Sequence, residues 1–409
     1  MSSTARNYFL LILILGSLSA IGPFSIDMYL PGFPAIAADL HTDVAQVALS
    51  LSSFFVGISA GQLLYGPLLD RFGRKKPLYF GIVVYILASV GCALAITADQ
   101  LILLRFMQAA GGCVGMVASR AMVRDLFPVT ESAKVFSTLM LVIGVSPIIA
   151  PTVGGYVTAA FGWHWVFVIL TIMAVLLLVG VHFVLPETRK PDTNLSLKPL
   201  PILKNFYQVL RNPFFLTYTF CGSIAAAGLY AYIAGSPYVF MEIFHVSEQQ
   251  YGWIFAFIAV GIIGSSQLNT ILLKHMSSQQ IIKRALSVQV STGILLFLGA
   301  VFNFTGLAGT IGLIFLFLCC QGFTFPNTSA LALAPFSKNA GSASALMGSI
   351  QMACGAMTSF CVSLLSNHSA LPMTGVMACC SITSFGILMI SNAYGIDKRA
   401  LHIQDENFN

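Results

Sequence analysis

Charge is what this sequence has least of. Lys, Arg, Asp and Glu together make up 8% of its 409 residues, against roughly 25% in an ordinary soluble domain. Residues 285–337 contain none of the four, and neither do residues 339–396. A soluble chain of this length has room for two or three domains, but none of them could bury such runs. What fills the runs is apolar: 57% of the residues are hydrophobic and the mean hydropathy is +0.86. Each run is long enough for two spans of ~20 residues with a turn between them. The turns are visible at Asn303–Gly306 and Asn367–Pro372.

Other absences exclude whole classes of function. The net charge of +6 comes without a basic patch interleaved with aromatics, so no nucleic-acid partner is expected. The nine cysteines lie inside apolar segments, with neither metal-ligand spacing nor the loop placement of a disulfide framework. They read as small packing residues. There is no H-E-x-x-H, no G-x-S-x-G, no paired intramembrane His/Asp cluster and no phosphate-binding P-loop. Catalysis, a metal, a cofactor and ATP-driven transport within the chain are therefore not expected. The seven histidines are scattered, with only His182 well inside an apolar segment. At the N-terminus, Arg6, the apolar run Tyr8–Leu15 and the small residues Gly16–Ala20 have the form of a signal peptide. Because the apolar run continues past Ala20, a first transmembrane helix is the expected structure.

Apolar segments fall at 8–37, 45–69, 77–97, 99–123, 134–160 and 164–185, then at 213–241, 249–273, 283–302, 307–334, 342–365 and 371–393. At ~1.5 Å rise per residue each can cross a bilayer. The only extended polar stretch, 186–212, divides the chain almost in half. The expected architecture is all-α, with an N-terminal six-helix bundle (1–185), a cytoplasmic linker (186–212), a C-terminal six-helix bundle (213–395) and a cytoplasmic tail (396–409). Two six-span halves of this kind indicate an internal repeat of the transporter type.

Lys and Arg orient the chain. Arg6, then Arg71, Arg74, Lys75 and Lys76, then Arg124 and Lys134, the 186–212 stretch, Lys274, Lys283 and Arg284, Lys338, and Lys398 and Arg399 all fall on one side. The alternate loops hold Asp39, Asp43, Asp99, Glu242 and Glu248, with no Lys or Arg. The positive-inside rule then puts both termini and the linker in the cytoplasm of a multi-pass inner-membrane protein. Of the 20 basic residues, only Arg105 and Arg120 are left inside a segment; Asp27 and Asp125 are the corresponding acids. A charge in a bilayer costs at least ~2.5–3.5 kcal/mol, so each is a candidate functional group, and all lie in the first half.

Four motifs share that half. Gly66-Pro-Leu-Leu-Asp70-Arg71-Phe-Gly73-Arg74-Lys75 has the form G-x-x-x-D-R-x-G-R-K. Gly66 would let helices approach, Gly73 would permit a tight turn, and one of the three cations could pair with Asp125. Arg105-Phe-Met-Gln108 resembles an R-x-x-Q-G segment-four motif. Pro147-Ile-Ile-Ala-Pro151-Thr-Val-Gly154-Gly155 resembles a G-P-x-x-G-G antiporter motif, its prolines bending the helix and its glycines packing closely. Ser25-Ile-Asp27-Met-Tyr29-Leu-Pro31 resembles a D-x-Y-x-P sequence. With Arg120-Ala-Met-Val-Arg124-Asp125, the first half is similar to the twelve-span drug/proton antiporters of the major facilitator superfamily, in particular the Bcr/CflA (bicyclomycin-resistance-like) group. The second half agrees in layout only, since Leu272–Ser278 lacks the loop motif.

The resemblance implies a major facilitator fold that exports small molecules by alternating access, driven by proton entry, with no enzymatic activity and a monomeric state. Asp27 is then the expected coupling carboxylate, since desolvation and a nearby cation move a carboxyl group in opposite directions. Arg105 would either help expel its proton or bond carbonyls and polar side chains of neighbouring helices. Gly66, Asp70, Arg71, Gly73, Arg74, Arg120, Arg124 and Asp125 would form a cytoplasmic gate. Pro147, Pro151, Gly154 and Gly155 would seal the pathway against leak. Tyr29, Gln108, Tyr230, Tyr232, Gln321, Asn327 and Gln351, polar or aromatic residues within spans, are candidate substrate contacts. The competing reading is an exporter or proton symporter of an endogenous metabolite such as an amino acid or siderophore; the Pro151–Gly155 motif weighs against import.

Overall fold

A computed structural model describes residues 3–192, 199–336, 340–367 and 369–393, with side chains for all of these except 3–8, 129–134, 136, 137, 140, 199–202 and 340. Lys198, Lys338, the tail and the side chains of Arg6 and Lys134, all used to orient the chain, lie outside the described residues. Among the described residues there is no strand. The helices are α1 (Ser3–Asp27), α2 (Phe33–Asp39), α3 (Val44–Phe72), α4 (Lys75–Ala93), α5 (Ala98–Leu126), α6 (Val129–Phe161), α7 (His164–Phe183), α8 (Pro199–Leu210), α9 (Pro213–Pro237), α10 (Glu248–Leu272), α11 (Ser278–Phe302), α12 (Gly306–Leu333), α13 (Ala340–Leu364) and α14 (Leu371–Ala393). Among the described residues, twelve stretches are long and apolar enough to cross a membrane, the first running through α1 and α2 and the others through α3–α7 and α9–α14. The chain is a multi-pass membrane protein.

Short polar signals set the helix ends. Asp43 caps α3 by accepting from Gln46 N at 2.6 Å, and Thr97 caps α5 by accepting from Gln100 N at 3.3 Å. Ser277 and Gln280 form a reciprocal capping box at the start of α11. The Asn212 carboxamide oxygen accepts from Phe214 N and Phe215 N at the start of α9. At the other ends, Gly73 (φ 82°) follows α3 and Asn303 (φ 53°) follows α11 in left-handed backbone.

The first span is interrupted at an informative place. α1 stops at Asp27, and a 3-10 turn, Leu30–Gly32, leads into α2. Pro31 has no N–H to return to the Asp27 carbonyl, and Pro34 has none for Leu30. The break is therefore written into the sequence, and it leaves carbonyls of the last turn of α1 without helical partners. α9 has a related ending: beyond Pro237 the chain continues as a π-helical turn, Tyr238–Ile243.

The chain divides into two compact units, one comprising Met1–Lys198 with Pro237–Ala259, the other Pro199–Ser236 with Val260–Asn409. By packing, then, the end of the seventh span and the start of the eighth go with the first unit. Small residues explain the attachment. A Cβ on Gly155 would come within 2.5 Å of the Glu248 carbonyl oxygen, and one on Gly252 within 2.9 Å of the Pro151 oxygen. Within the 186–212 stretch, residues 199–210 form a helix, α8, that belongs to the second unit.

α6 runs unbroken through Pro147 and Pro151. It packs on the first span so closely that a Cβ on Gly154 would overlap the carbonyl oxygen of Met28. At Gly66 the expectation fails: a Cβ there meets nothing within 4 Å, so close helix approach is not what glycine provides at that position in this structure. The pair gives a test. Gly154→Val should destabilise the protein by about 1–3 kcal/mol or more, read as a lowered Tm in detergent. Gly66→Ala should leave Tm unchanged or slightly raised, since alanine is favoured over glycine in a helix by about 0.5–1 kcal/mol.

Candidate functional site

Two ionic constellations lie in the first unit, at opposite ends of α5. Arg105 stands near the start of that helix and Asp125 near its end; at ~1.5 Å rise per residue about 30 Å separates them.

Arg105 is 0% exposed, yet no carboxylate pairs with it among the described residues. Its guanidinium instead donates to the Gln108 side-chain oxygen at 2.6 Å and to the Ser25 carbonyl at 2.9 Å. Gln108 passes the chain on to Ser89 at 2.7 Å. The guanidinium carbon lies 4.1 Å from the ring centroids of both Tyr29 and Phe54, and 5.8 Å from that of Phe167. The negative faces of these rings attract the cation, each contact worth ~2 kcal/mol when desolvated. The Ser25 carbonyl is free to accept because α1 ends two residues later, and the end of a helix is where a cation is favoured. Ser25 Oγ in turn meets Tyr85 Oη at 2.6 Å, and Tyr29 Oη meets Ser50 Oγ at 3.1 Å. The arrangement ties α1, α3, α4, α5 and α7 to one cation.

Asp27 is 4% exposed. No hydrogen bond or ion pair engages its carboxyl group among the described residues, and it does not pair with Arg105. The bonding of Arg105 to a backbone carbonyl and a polar side chain is the second of the two roles expected for it.

The other constellation lies where α3, α4 and α5 meet the start of the 186–212 stretch. Arg74 donates to Asp70 Oδ1 at 2.8 Å, and to Asp125 Oδ2 at 2.8 Å and Oδ1 at 3.4 Å. Burial works against the charge of Arg74, but the hydrogen bonds and field of Asp125 and Asp70 outweigh it and push its pKa up. Arg189 donates to Asp70 Oδ1 at 2.9 Å and Thr188 to Asp125 Oδ2 at 2.9 Å. Glu187 accepts from Arg74 N at 2.7 Å and Lys75 N at 3.1 Å, capping the first turn of α4. Lys75 Nζ reaches the Leu185 carbonyl at 2.8 Å. Gly73 is required twice over here, by its positive φ and because a Cβ would meet Arg189 O and Glu187 Oε2 at 3.0 Å.

Of the expected gate residues, the structure thus joins Asp70, Gly73, Arg74 and Asp125. Arg71 adds its carbonyl, which accepts from Asp192 N at 3.1 Å. Arg120 and Arg124 form no ion pair among the described residues; both nearby carboxylates are already held by Arg74. Glu187, Thr188 and Arg189 were not anticipated. Tyr29 and Gln108, expected at a substrate cavity, are instead packed around Arg105. Tyr230 and Tyr232 are buried in the second unit. Also in that unit, Asn327 donates to Asn269 Oδ1 at 2.7 Å, Gln321 donates to the Ala225 carbonyl, and Gln351 is half-buried.

A helical protein of twelve spans that keeps ionisable side chains within its bundle belongs to the class of membrane transporters. A profile of the Major Facilitator Superfamily matches residues 15–359. The chain is similar to a bicyclomycin resistance protein homolog of Haemophilus influenzae, 33% identical over 90% of this chain and 92% of the relative. It is also similar to the multidrug resistance protein MdtL of Escherichia coli, 31% identical over 81% and 83%. Among solved structures, a D-xylose–proton symporter superposes with a TM-score of 0.72 at 13% identity, covering 93% of this chain and 97% of that one. A bacterial homolog of the human lysosomal transporter Spinster gives 0.70 at 16%, covering 97% of each. The chain belongs to the Major Facilitator Superfamily, whose members transport rather than catalyse.

The docking of residues 187–189 onto the Arg74 cluster yields a prediction. Glu187→Ala removes an acceptor shared by two backbone donors, so trypsin should cut after Arg189 severalfold faster than in the wild type. Unchanged cleavage would mean that Glu187 does not hold the segment down.

Proposed function

We propose that this protein is a proton-coupled exporter of small molecules, drugs among them, working by alternating access in the inner membrane with both termini cytoplasmic. The family membership and the names of the resistance-protein relatives support export of this kind. The one-sided distribution of Lys and Arg supports the orientation. The observation on which coupling rests is the isolation of Asp27.

A coupling carboxyl group must bind a proton facing one side of the membrane and release it facing the other. Protonated, Asp27 can remain buried with only the modest cost of a polar group; ionised, it needs water or a cation. Its place suits that demand. It sits at a break in the first span, where Pro31 and Gly32 interrupt the helix and the backbone can rearrange more readily than within α3 or α5. Arg105 stays on the Ser25 carbonyl, two residues away, and fixes this end of α1 while Asp27 changes its charge. In this reading Arg105 is a positioning residue, and the proton is carried by Asp27.

The Arg74 cluster serves as the cytoplasmic latch. Arg74, Arg189 and Thr188, with the carboxylates of Asp70, Asp125 and Glu187, bind the α3–α4 turn, the end of α5 and residues 187–189 into one piece. A change of state at that side has to break or move these bonds together. Asp70→Asn should therefore lower transport severalfold or more while leaving the protein inserted and monodisperse; wild-type flux would reduce the cluster to a structural staple.

Asp27→Asn should abolish uphill export driven by an inward proton gradient. Binding of a neutral substrate should survive, because the amide keeps the shape and hydrogen-bonding groups of the protonated acid. Downhill exchange of substrate should also persist. The readout is proton release on substrate addition in everted vesicles. Substrate-triggered, gradient-dependent proton release in that variant would place coupling elsewhere, with Asp125 the remaining candidate.

A further inference from the structure

The second unit has no Asp or Glu among its described residues. It does have Lys204, Arg211, Lys274, Lys283 and Arg284, all exposed. The succession of helices gathers them at one end. Lys204 lies in α8, Arg211 precedes α9, Lys274 follows α10, and Lys283 and Arg284 open α11. Among the described residues no carboxylate of the unit is there to neutralise them.

α8 stands among these cations with two unlike faces. Val209 is 0% exposed and seats the helix on its own unit. Leu203 and Tyr207, one turn apart, are 59% and 60% exposed. Arg211 continues the same stripe: its N–H donates to the Tyr207 carbonyl at 3.0 Å, and its guanidinium carbon lies 5.7 Å from the Tyr207 ring. Lys204 borders the stripe. Only Arg211 and Asn212 separate α8 from the span that begins at Pro213, so the helix is held at the edge of the bilayer. An exposed apolar stripe flanked by cations, with a tyrosine whose ring is apolar and whose tip is polar, is the pattern of a helix that engages a lipid surface.

We propose that this face of α8 binds the anionic phospholipid headgroups of the surrounding membrane. Lys204 and Arg211 take the phosphate oxygens, while Leu203 and Tyr207 contact the adjoining glycerol and acyl carbons. The occupant is anionic because no carboxylate pairs with Lys204 or Arg211 among the described residues. It is a lipid because the apolar stripe and the neighbouring span place it at the water–hydrocarbon boundary. The proposal is independent of what the protein transports.

The test uses the purified full chain in a nonionic detergent, titrated with phosphatidylglycerol or with phosphatidylcholine of identical acyl chains. Bound lipid is counted by native mass spectrometry, and Tm is followed in parallel. The expected result is tighter binding of phosphatidylglycerol, weakened by added salt. Lys204→Gln with Arg211→Gln should lower its affinity roughly tenfold or more and leave phosphatidylcholine unaffected. Leu203→Ser with Tyr207→Ser should weaken both lipids. Lys76→Gln with Lys190→Gln, a removal of equal charge from the first unit, should change neither. Equal binding of the two lipids by the wild type would overturn the proposal. So would an equal loss of phosphatidylglycerol binding in the Lys76/Lys190 control, which would reduce the effect to net charge.

Discussion

A charge that stays within a bilayer must bring its own solvent, and the first unit is arranged around that requirement at Arg105. Among the described residues the guanidinium receives no counter-ion. It receives a helix-end carbonyl, an amide oxygen and two aromatic faces, drawn from the end of the first helix, from α3 and from its own helix. These are the partners that replace hydration without neutralising the charge, so the site remains cationic inside the protein. Removing any one leaves the guanidinium less well solvated, and at a buried group that penalty is large. The break after Asp27 belongs to the same arrangement. Were α1 to continue through Tyr29, the Ser25 carbonyl would have its helical donor and Arg105 would lose an acceptor.

Arg74 solves the same problem by the opposite means. Its side chain is 5% exposed, but its partners Asp70 and Asp125 are 44% and 22% exposed, so neutralisation is shared with water. Water at the two carboxylates makes these bonds more salt-sensitive than a fully buried pair. In the proposed cycle the Arg105 site persists, while the Arg74 cluster is the one that is released.

The spans, their number and the ionic residues of the first half were legible in the sequence because each has a local signature: an apolar run, a missing charge, a G-x-x-x-D-R-x-G-R-K string. The partnership of Arg74 with Asp125 was open to reading because both close the same end of neighbouring helices. Glu187, Thr188 and Arg189 were not, since they meet Arg74, Asp125 and Asp70 across more than sixty residues of chain, and no periodicity marks such a contact. Tyr29 and Gln108 show the converse limit. An aromatic or an amide within a span looks the same whether it lines a cavity or packs on a guanidinium, and only the fold distinguishes them. The break at Asp27 was available from Pro31, Gly32 and Pro34, whose missing donors and flexible backbone end a helix whatever surrounds it.

The two units divide the chemistry unevenly, and the division follows from composition. With no described carboxylate, the second unit joins several of its buried polar groups in neutral bonds: Asn327 to Asn269, Gln321 to the Ala225 carbonyl, Thr358 to the Ala227 carbonyl at 3.2 Å. Amides and hydroxyls do not change charge near neutral pH. Its one described histidine, His275, is exposed at a turn. The first unit holds Asp27 and the Asp70–Arg74–Asp125 cluster. A pH gradient therefore has groups to act on in the first unit and almost none in the interior of the second. Neutral hydrogen bonds also fix position without demanding a particular charge on what they face. Under the proposed function, that leaves the proton response to the first unit, where the titratable groups are.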